Sequence, residues 1–475
     1  MKRIIALVVL LCACVGVRAQ RVEIYPVPKG IYYAQHNDDY TVRVRCADGD
    51  WIDLYEYKVR VDMDAVTESS MVQFDAEGEV EIEIKKNNGT FRDVVVRPDE
   101  RGIVPKIGKD GLVRFKVNGP QKLSVEFDGD HIRNLQIFVN PIQNEIPKAD
   151  TPNVIYFGEG MHSPEGAVKG KEHEAEWLIP SNTTVYLAQG AVLRGKLVCR
   201  NVENVRIIGR GIMFQPQRGV EIAFSKNVTV DGITFINPAH YTIFGGQSQN
   251  ITIRNIKSFS CRGWSDGIDL MSCSDVLIED VYMRNSDDCI AIYGHRWDYY
   301  GDVRNIEVRN SILWADIAHP INIGIHGYTK EGDAGGNVIE NLRFRNIDIL
   351  EHDEDDLACQ GCMCICVGDC NLVRGVLFED IRIARIEEGQ LFRFEVAYSA
   401  KYNSSAGRGI EKVTVRNVTA TAHGIRRPLI KGHDATHAVK DIRFENFVLN
   451  GKKIRRIEDL NIEFGDHVSG VVLVK

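Results

Sequence analysis

The 475-residue chain has no excess of basic residues. Its 58 Lys and Arg are outnumbered by 66 Asp and Glu, for a formal net charge of -8. A nucleic-acid binder ordinarily presents a basic face, so no nucleic-acid partner is expected. Beyond the N-terminus no apolar run is long enough to cross a bilayer, which excludes a helical membrane span. Between the strand-like phrases described below there is no helical stretch of ten or more residues. That absence excludes a sheet built from β-α-β units. What is present, 44% hydrophobic and 26% charged residues, fits a folded globular protein.

The first residues are Met-Lys-Arg, followed by a mostly apolar run from Ile4 to Val17 and small residues near Ala19. A basic start, a short apolar core and a small-residue end form the pattern of an export signal. Residues 1–19 are therefore expected to be a signal peptide, and the protein to be exported: periplasmic, secreted or at the cell surface. A second reading is a lipobox, Leu11-Cys12-Ala13-Cys14, with Cys14 as the lipid-anchored residue.

Cleavage after Ala19 would leave ten of the 12 cysteines. Five of them crowd into Cys359, Cys362, Cys364, Cys366 and Cys370. The chemistry open to such a cluster is metal binding or a disulfide. The alternative is a strand whose alternate cysteines pack on one face, because side chains alternate along a strand. No two-pair Cys-x-x-Cys pattern is present, and neighbours two apart on a flat strand do not converge easily on one ion. Packing cysteines or one disulfide are expected, with no metal and no cofactor.

One phrase recurs through the C-terminal two-thirds: a polar residue or Gly, alternating β-branched or apolar residues, then often Asn or Asp. It begins at Asn204, Asn227, Asn250, Asp275, Asn305, Asn341, Gly375, Lys412 and Asp441, at intervals of 23 to 37 residues. Period-two alternation means strand, and a strand phrase that returns at such intervals means a solenoid. The expected fold class is all-β: a right-handed parallel β-helix over residues 150–475, one phrase per coil. Residues 21–145 differ. Runs that start at Tyr40, Glu79, Val113 and Lys122 alternate between turn residues, the pattern of an antiparallel β-sandwich. The Pro-rich segment 140–152 marks the boundary.

Each coil has a second strand. Ser265-Asp266-Gly-Ile-Asp-Leu, Asp287-Asp288-Cys-Ile-Ala-Ile and Ala318-His319-Pro-Ile-Asn-Ile stack on successive coils, preceded by Ala239-His240-Tyr-Thr-Ile-Phe. This alignment puts His240, Asp266, Asp288 and His319 in one column, Asp287 beside it, and Asp269 and Asn322 at outward positions. Adjacent strands lie ~4.8 Å apart, so three carboxylates crowd into two coils. Such crowding raises at least one pKa. Its use is glycoside hydrolysis, in which one carboxylic acid protonates the leaving oxygen and an ionised partner activates water. The competing reading is an aspartate turn stack or a cation site.

These motifs resemble those of glycoside hydrolase family 28, the polygalacturonase-type enzymes. The resemblance rests on Ser265-Asp266-Gly267-Ile268-Asp269, on Asn285-Ser286-Asp287-Asp288-Cys289-Ile290-Ala291-Ile292, and on His319-x-Ile-Asn-Ile-Gly324. The N-terminal part is similar, more loosely, to the sandwich of the related family 49 dextranases. The resemblance implies an inverting O-glycosyl hydrolase acting on a polysaccharide or oligosaccharide. It implies Asp287 as general acid, Asp266 and Asp288 as the pair that handles the water, and His319 as a tuning or sugar-holding residue.

Two departures stand out. Trp264 occupies the place where the family has Asn, and no Arg-x-Lys follows the histidine coil. That coil is acidic instead, His352-Asp-Glu-Asp-Asp, which repels a uronic acid and favours a neutral or unusually substituted glycan. Replacement cations would come from Arg296, Arg393 or Lys431. Trp297, in the aromatic loop 293–300, is expected to stack on sugar or to pack within its own loop. The expected substrate-binding set is His240, Asp269, Arg296, Trp297, Asn322 and Arg393. The rival readings are a non-catalytic glycan-binding β-helix and a polysaccharide lyase.

Overall fold

The structure, a computed structural model, describes residues 20–47, 49–327 and 336–474. The apolar N-terminal segment, and with it Cys14, lies outside the described residues.

The recurring phrase has a local cause. Its leading residue sits in the left-handed region, at φ 57° in Asn204, Asn227, Asp275, Asn305 and Asn341. Only Gly and short polar side chains adopt that conformation readily, which explains the recurrent Asn, Asp or Gly. Each Asn then bonds the equivalent residue one coil back. Asn227 Nδ2 donates to Asn204 Oδ1 at 2.9 Å, and Asn250 Nδ2 donates to Asn227 Oδ1 at 2.7 Å. The turn residue thus sets the bend of its own coil and ties that coil to its neighbour.

Among the described residues the coils stack into two sheets, one of 19 strands and one of 11, parallel except where Lys452–Lys453 turns back on Ala438–Leu449. The strands from Val154–Phe157 to Val468–Val474 form a right-handed parallel β-helix. Inward-facing residues such as Ile243, Ile268, Ile290 and Ile321 join one continuous buried core along the helix. The 11-stranded sheet includes Ile243–Gly246, Ile268–Met271, Ile290–Tyr293, Ile321–Ile323, Met363–Val367 and Phe392–Val396, all in parallel register. Side chains alternate in and out, so the residues between the inward isoleucines face outward. Tyr241, Phe244, Met271, Tyr293, Cys359, Cys364 and Cys366 make a second buried cluster on that outer face.

Residues 21–140 fold into a six-stranded and a five-stranded sheet that share one core. One pairing departs from the expected antiparallel pattern: Asp130–Asn140 runs parallel to Thr67–Glu77. The sandwich packs against the β-helix through Tyr57, Met71 and Phe138, which meet Phe259, Tyr282 and Trp314. At the centre of this contact is Arg284, whose side chain is fully buried. Its guanidinium donates to both oxygens of Asp316 at 3.0–3.1 Å and to Asn134 Oδ1 of the sandwich at 2.9 Å. Two backbone amides of the sandwich add to the brace. Asp62 N–H donates to Asp316 Oδ2 at 3.2 Å, and Met63 N–H donates to Ser286 Oγ at 3.1 Å. The sandwich therefore holds the chain immediately before Asp287.

Removing one partner of a buried ion pair leaves an uncompensated charge. Arg284→Met is expected to lower stability by about 3–5 kcal/mol, read as a fall in the denaturant midpoint. A change within about 0.5 kcal/mol would show that the pair does not brace the two halves.

Candidate active site

Ladder register decides which side chains meet. Ile243, Ile268, Ile290 and Ile321 are in register on successive coils. The residues two positions earlier are Tyr241, Asp266, Asp288 and His319, and these form the column. His240, expected there from the sequence alignment, stands one residue aside. Its Nδ1 accepts from the Tyr241 N–H at 2.9 Å, and its ring lies 6.2 Å from Trp297. The apolar alternation of that coil tolerates a one-residue slip, and the ladder removes the ambiguity. Burial, then the charges of Arg218 and Arg296, push the His240 pKa down to about 4, which keeps it neutral.

Asp266, Asp287 and Asp288 come together. One oxygen from each lies within 4.8 Å of the others. This is closer than the ~6.5–9.5 Å expected of two carboxyl groups that flank a water. Asp287 sits half-buried at the mouth. Its Oδ2 accepts from the Trp264 N–H at 2.6 Å and its Oδ1 from the Asp288 N–H at 3.0 Å. Trp264 therefore does with its backbone what a polar side chain could do, and it adopts φ 63° to do so. Its indole is 71% exposed at the rim.

Asp288 is buried and tightly held. His319 Nδ1 lies 2.6 Å from Asp288 Oδ1, and Asn322 Nδ2 donates to Oδ2 at 2.8 Å. The other ring nitrogen of His319 bonds the Cys359 carbonyl. The imidazole is thus fixed at both ends.

The two neighbouring aspartates differ in proton affinity. Burial, then repulsion from Asp288, pushes Asp287 up to about 6. Burial opposes ionisation of Asp288 too, but the charge and hydrogen bond of His319 and the Asn322 amide outweigh it and hold Asp288 below the usual carboxylate range. His319 is correspondingly raised against its own burial by Asp288. Asp266 is raised well above the usual range by burial and by Asp269, Asp287 and Asp288. Asp269, wholly buried between Phe244 and Ala291 in the ladder, is raised by its burial despite Arg296.

The three aspartates, His319, Asn322 and Arg296 line a cavity of about 360 Å³. Its other walls include Tyr293 of the aromatic loop and Glu354 and Asp356 of the acidic segment, both read from the sequence as facing the sugar, and Tyr241, His326, Lys401 and Tyr402, which sequence reasoning missed. Tyr241 and Tyr293 carried a signal, since one precedes the first column strand and the other ends the Asp288 strand. Lys401 and Tyr402 come from a distant coil and carried none. Burial pushes Glu354 up to about 7. Asp356 accepts from Lys401 at 2.8 Å and from Tyr402 at 3.1 Å.

Of the three cations considered from the sequence, only Arg296 reaches the cavity. It lies over Tyr293 at 5.5 Å and Tyr241 at 5.8 Å. Arg393 is turned to Glu395 and the Leu357 carbonyl, and Lys431 lies 3.4 Å from the same Glu395. Trp297 is packed instead of lining the cavity: it stacks on Tyr241 at 5.6 Å with Arg218 over its ring at 4.6 Å.

Comparison with known proteins follows the same lines. Dex49A from Penicillium minioluteum has a similar fold, with a TM-score of 0.61 and 16% identity, over 93% of this chain and 94% of that one. A "Probable polygalacturonase" of Vitis vinifera is 31% identical over 96 residues, 20% of this chain and 19% of that protein. A "Probable endopolygalacturonase D" of Emericella nidulans is 23% identical over 278 residues, 57% of this chain and 46% of that protein. The chain spans less than half the length of these two relatives. Residues 168–465, more than half of the chain and including all three aspartates and His319, match the family described as Glycosyl hydrolases family 28, and the chain belongs to that family.

Proposed function

We propose that the chain is an exported glycoside hydrolase that cleaves the O-glycosidic bonds of a polysaccharide or oligosaccharide with inversion. One observation carries this reading: two adjacent carboxyl groups of opposite proton affinity at the mouth of a cavity. Asp287, raised to about 6, carries the proton that the departing oxygen needs. Asp288, ionised, accepts the proton of the attacking water. Asp266, raised by its surroundings, orients that water. The Asp266 and Asp288 oxygens lie within 4.8 Å of each other, within reach of two hydrogen bonds of ~2.8 Å to a single attacking water. His319 and Asn322 hold Asp288 in place. Inversion is supported by the likeness of the three motifs, and the short carboxylate separation does not argue for it.

A neutral sugar suits the cavity best. Of the cations in its walls, Lys401 is engaged by Asp356 and His319 by Asp288, which leaves Arg296 to meet a sugar carboxylate. The exposed Trp264 indole at the rim offers a face for sugar CH groups. Arg296 and Asn322 contact the bound sugar, with Asp269 behind them. Export is supported by the N-terminal pattern of basic, apolar and small residues.

Reducing-end release from polygalacturonan, rhamnogalacturonan, dextran and other α-glucans tests the reading. Wild type is expected to turn over a neutral polymer, and Asp287→Asn to lower kcat about 10²–10⁴-fold. Turnover of the uronate polymers alone would overturn the neutral-sugar assignment. An unsaturated, calcium-dependent product would make the chain a lyase, and absence of turnover on any glycan would make it a binding module.

The pH profile provides a second test. The acid must be protonated, so kcat/KM is expected to fall as pH rises through about 6. The base must be ionised, so the acid limb lies below the usual carboxylate range. A profile that rises through pH ~6 would contradict the assignment of Asp287 as the acid.

A further inference from the structure

Behind His319 the outer face of the site sheet carries three thiols that the proposed chemistry does not use. Cys364 and Cys366 lie on Met363–Val367, two residues apart and therefore on one side of the strand. Cys359 comes from the preceding loop. The Cys364 and Cys366 sulfurs are 3.5 Å apart, and those of Cys359 and Cys364 are 3.7 Å apart. Cys364 and Cys366 are wholly buried and Cys359 is nearly so. A ring nitrogen of His319, Cys359 Sγ and Cys364 Sγ also lie within 4.8 Å of one another. Cys362 differs: it points into the β-helix core.

We infer that Cys359, Cys364 and Cys366 form a binding site for a zinc(II) ion. Three thiolates around a tetrahedral zinc at ~2.3 Å have sulfur separations of ~3.8 Å, and the Cys364 sulfur already stands almost at that spacing from both Cys366 and Cys359. A disulfide needs ~2.05 Å, so pairing any two of these thiols requires a much larger movement. Charge balance favours the ion as well. Three thiolates and one zinc carry a net -1. In register beside Cys364 and Cys366 stand Arg393 and Glu395, and Lys431 follows Glu395 on the next coil. The two cations exceed the one carboxylate by a single positive charge. Binding forms three Zn–S bonds, takes a water from the cavity that Cys359 lines as the fourth ligand, and releases three thiol protons to solvent, so affinity rises with pH.

The ion has a definite mechanical consequence. The Cys359 carbonyl bonds His319, and the loop that carries Cys359 also brings Glu354 and Asp356 to the cavity. Zinc clamps this loop to the strand through Cys359 Sγ while the carbonyl of the same residue holds the histidine. This inference rests on the thiol geometry and stands whether or not the chain hydrolyses glycans.

The test uses the full chain, prepared under reducing conditions and loaded with zinc or cobalt(II). One zinc per chain is expected after dialysis, together with a rise in thermal midpoint. Cobalt is expected to give thiolate charge-transfer absorption in the near ultraviolet and the d–d bands of a tetrahedral site. Cys364→Ser should abolish these bands, and Cys359→Ser, a loop substitution less demanding on folding, should abolish or strongly weaken them. Cys199→Ser, at a buried thiol on a remote coil, should leave them unchanged. Absence of cobalt bands in the wild type would overturn the inference. So would bands that survive in both site variants, or a Cys359–Cys364 disulfide found by mass spectrometry of the unreduced protein.

Discussion

Everything at the site depends on the register of the parallel ladder. Each coil repeats the backbone hydrogen bonds of the one before it, so a residue's place along its strand decides what lies above and below it. Asp266, Asp288 and His319 share a column because Ile268, Ile290 and Ile321 share one. The same register puts Asn322 beside Cys364 and Cys364 beside Arg393. Coils ~4.8 Å apart leave like charges no room to separate, and the crowding appears as altered proton affinity. The left-handed Asn and Asp residues keep that register: each bends its coil and bonds its neighbour.

From this constraint follows the division of labour between Asp287 and Asp288. They are consecutive residues, yet one faces the mouth and the other the column. Asp288 meets His319 and Asn322, which stabilise its charge. Asp287 meets two backbone amides, and these do not offset burial and the neighbouring carboxylate. One strand end thus supplies both an acid and a base at neighbouring positions. The N-terminal sandwich matters here because Arg284 and the Met63 amide hold the chain on either side of Asn285, just before this pair.

Much of this was legible in the residues themselves. The β-helix announced itself through the phrase that begins at Asn204 and returns as far as Asp441, since left-handed Asn and alternating apolar residues are local requirements. The carboxylate cluster was legible for the same reason: strand alternation and coil stacking are geometric rules. The failures were of two kinds. His240 was misplaced by one position because alternation alone does not fix register where a coil carries a different number of residues before its strand. Arg393, a candidate substrate cation, has a closer partner in Glu395, and of the two readings of Trp297 the packed one holds through Tyr241, a contact that sequence distance conceals. Lys401 and Tyr402 reach the cavity from a coil far along the chain, and the parallel pairing of Asp130–Asn140 joins strands more than fifty residues apart. No local pattern encodes such contacts.

The central claim is that neighbouring aspartates at this strand end carry opposite protonation. Isotope-edited infrared spectra of wild type, Asp287→Asn and Asp288→Asn at about pH 5 test it without any substrate. The account predicts that Asp287→Asn removes a protonated carboxyl band and that Asp288→Asn removes a carboxylate band. Loss of a carboxylate band in Asp287→Asn would contradict it, because the residue assigned to donate the proton would have none to give.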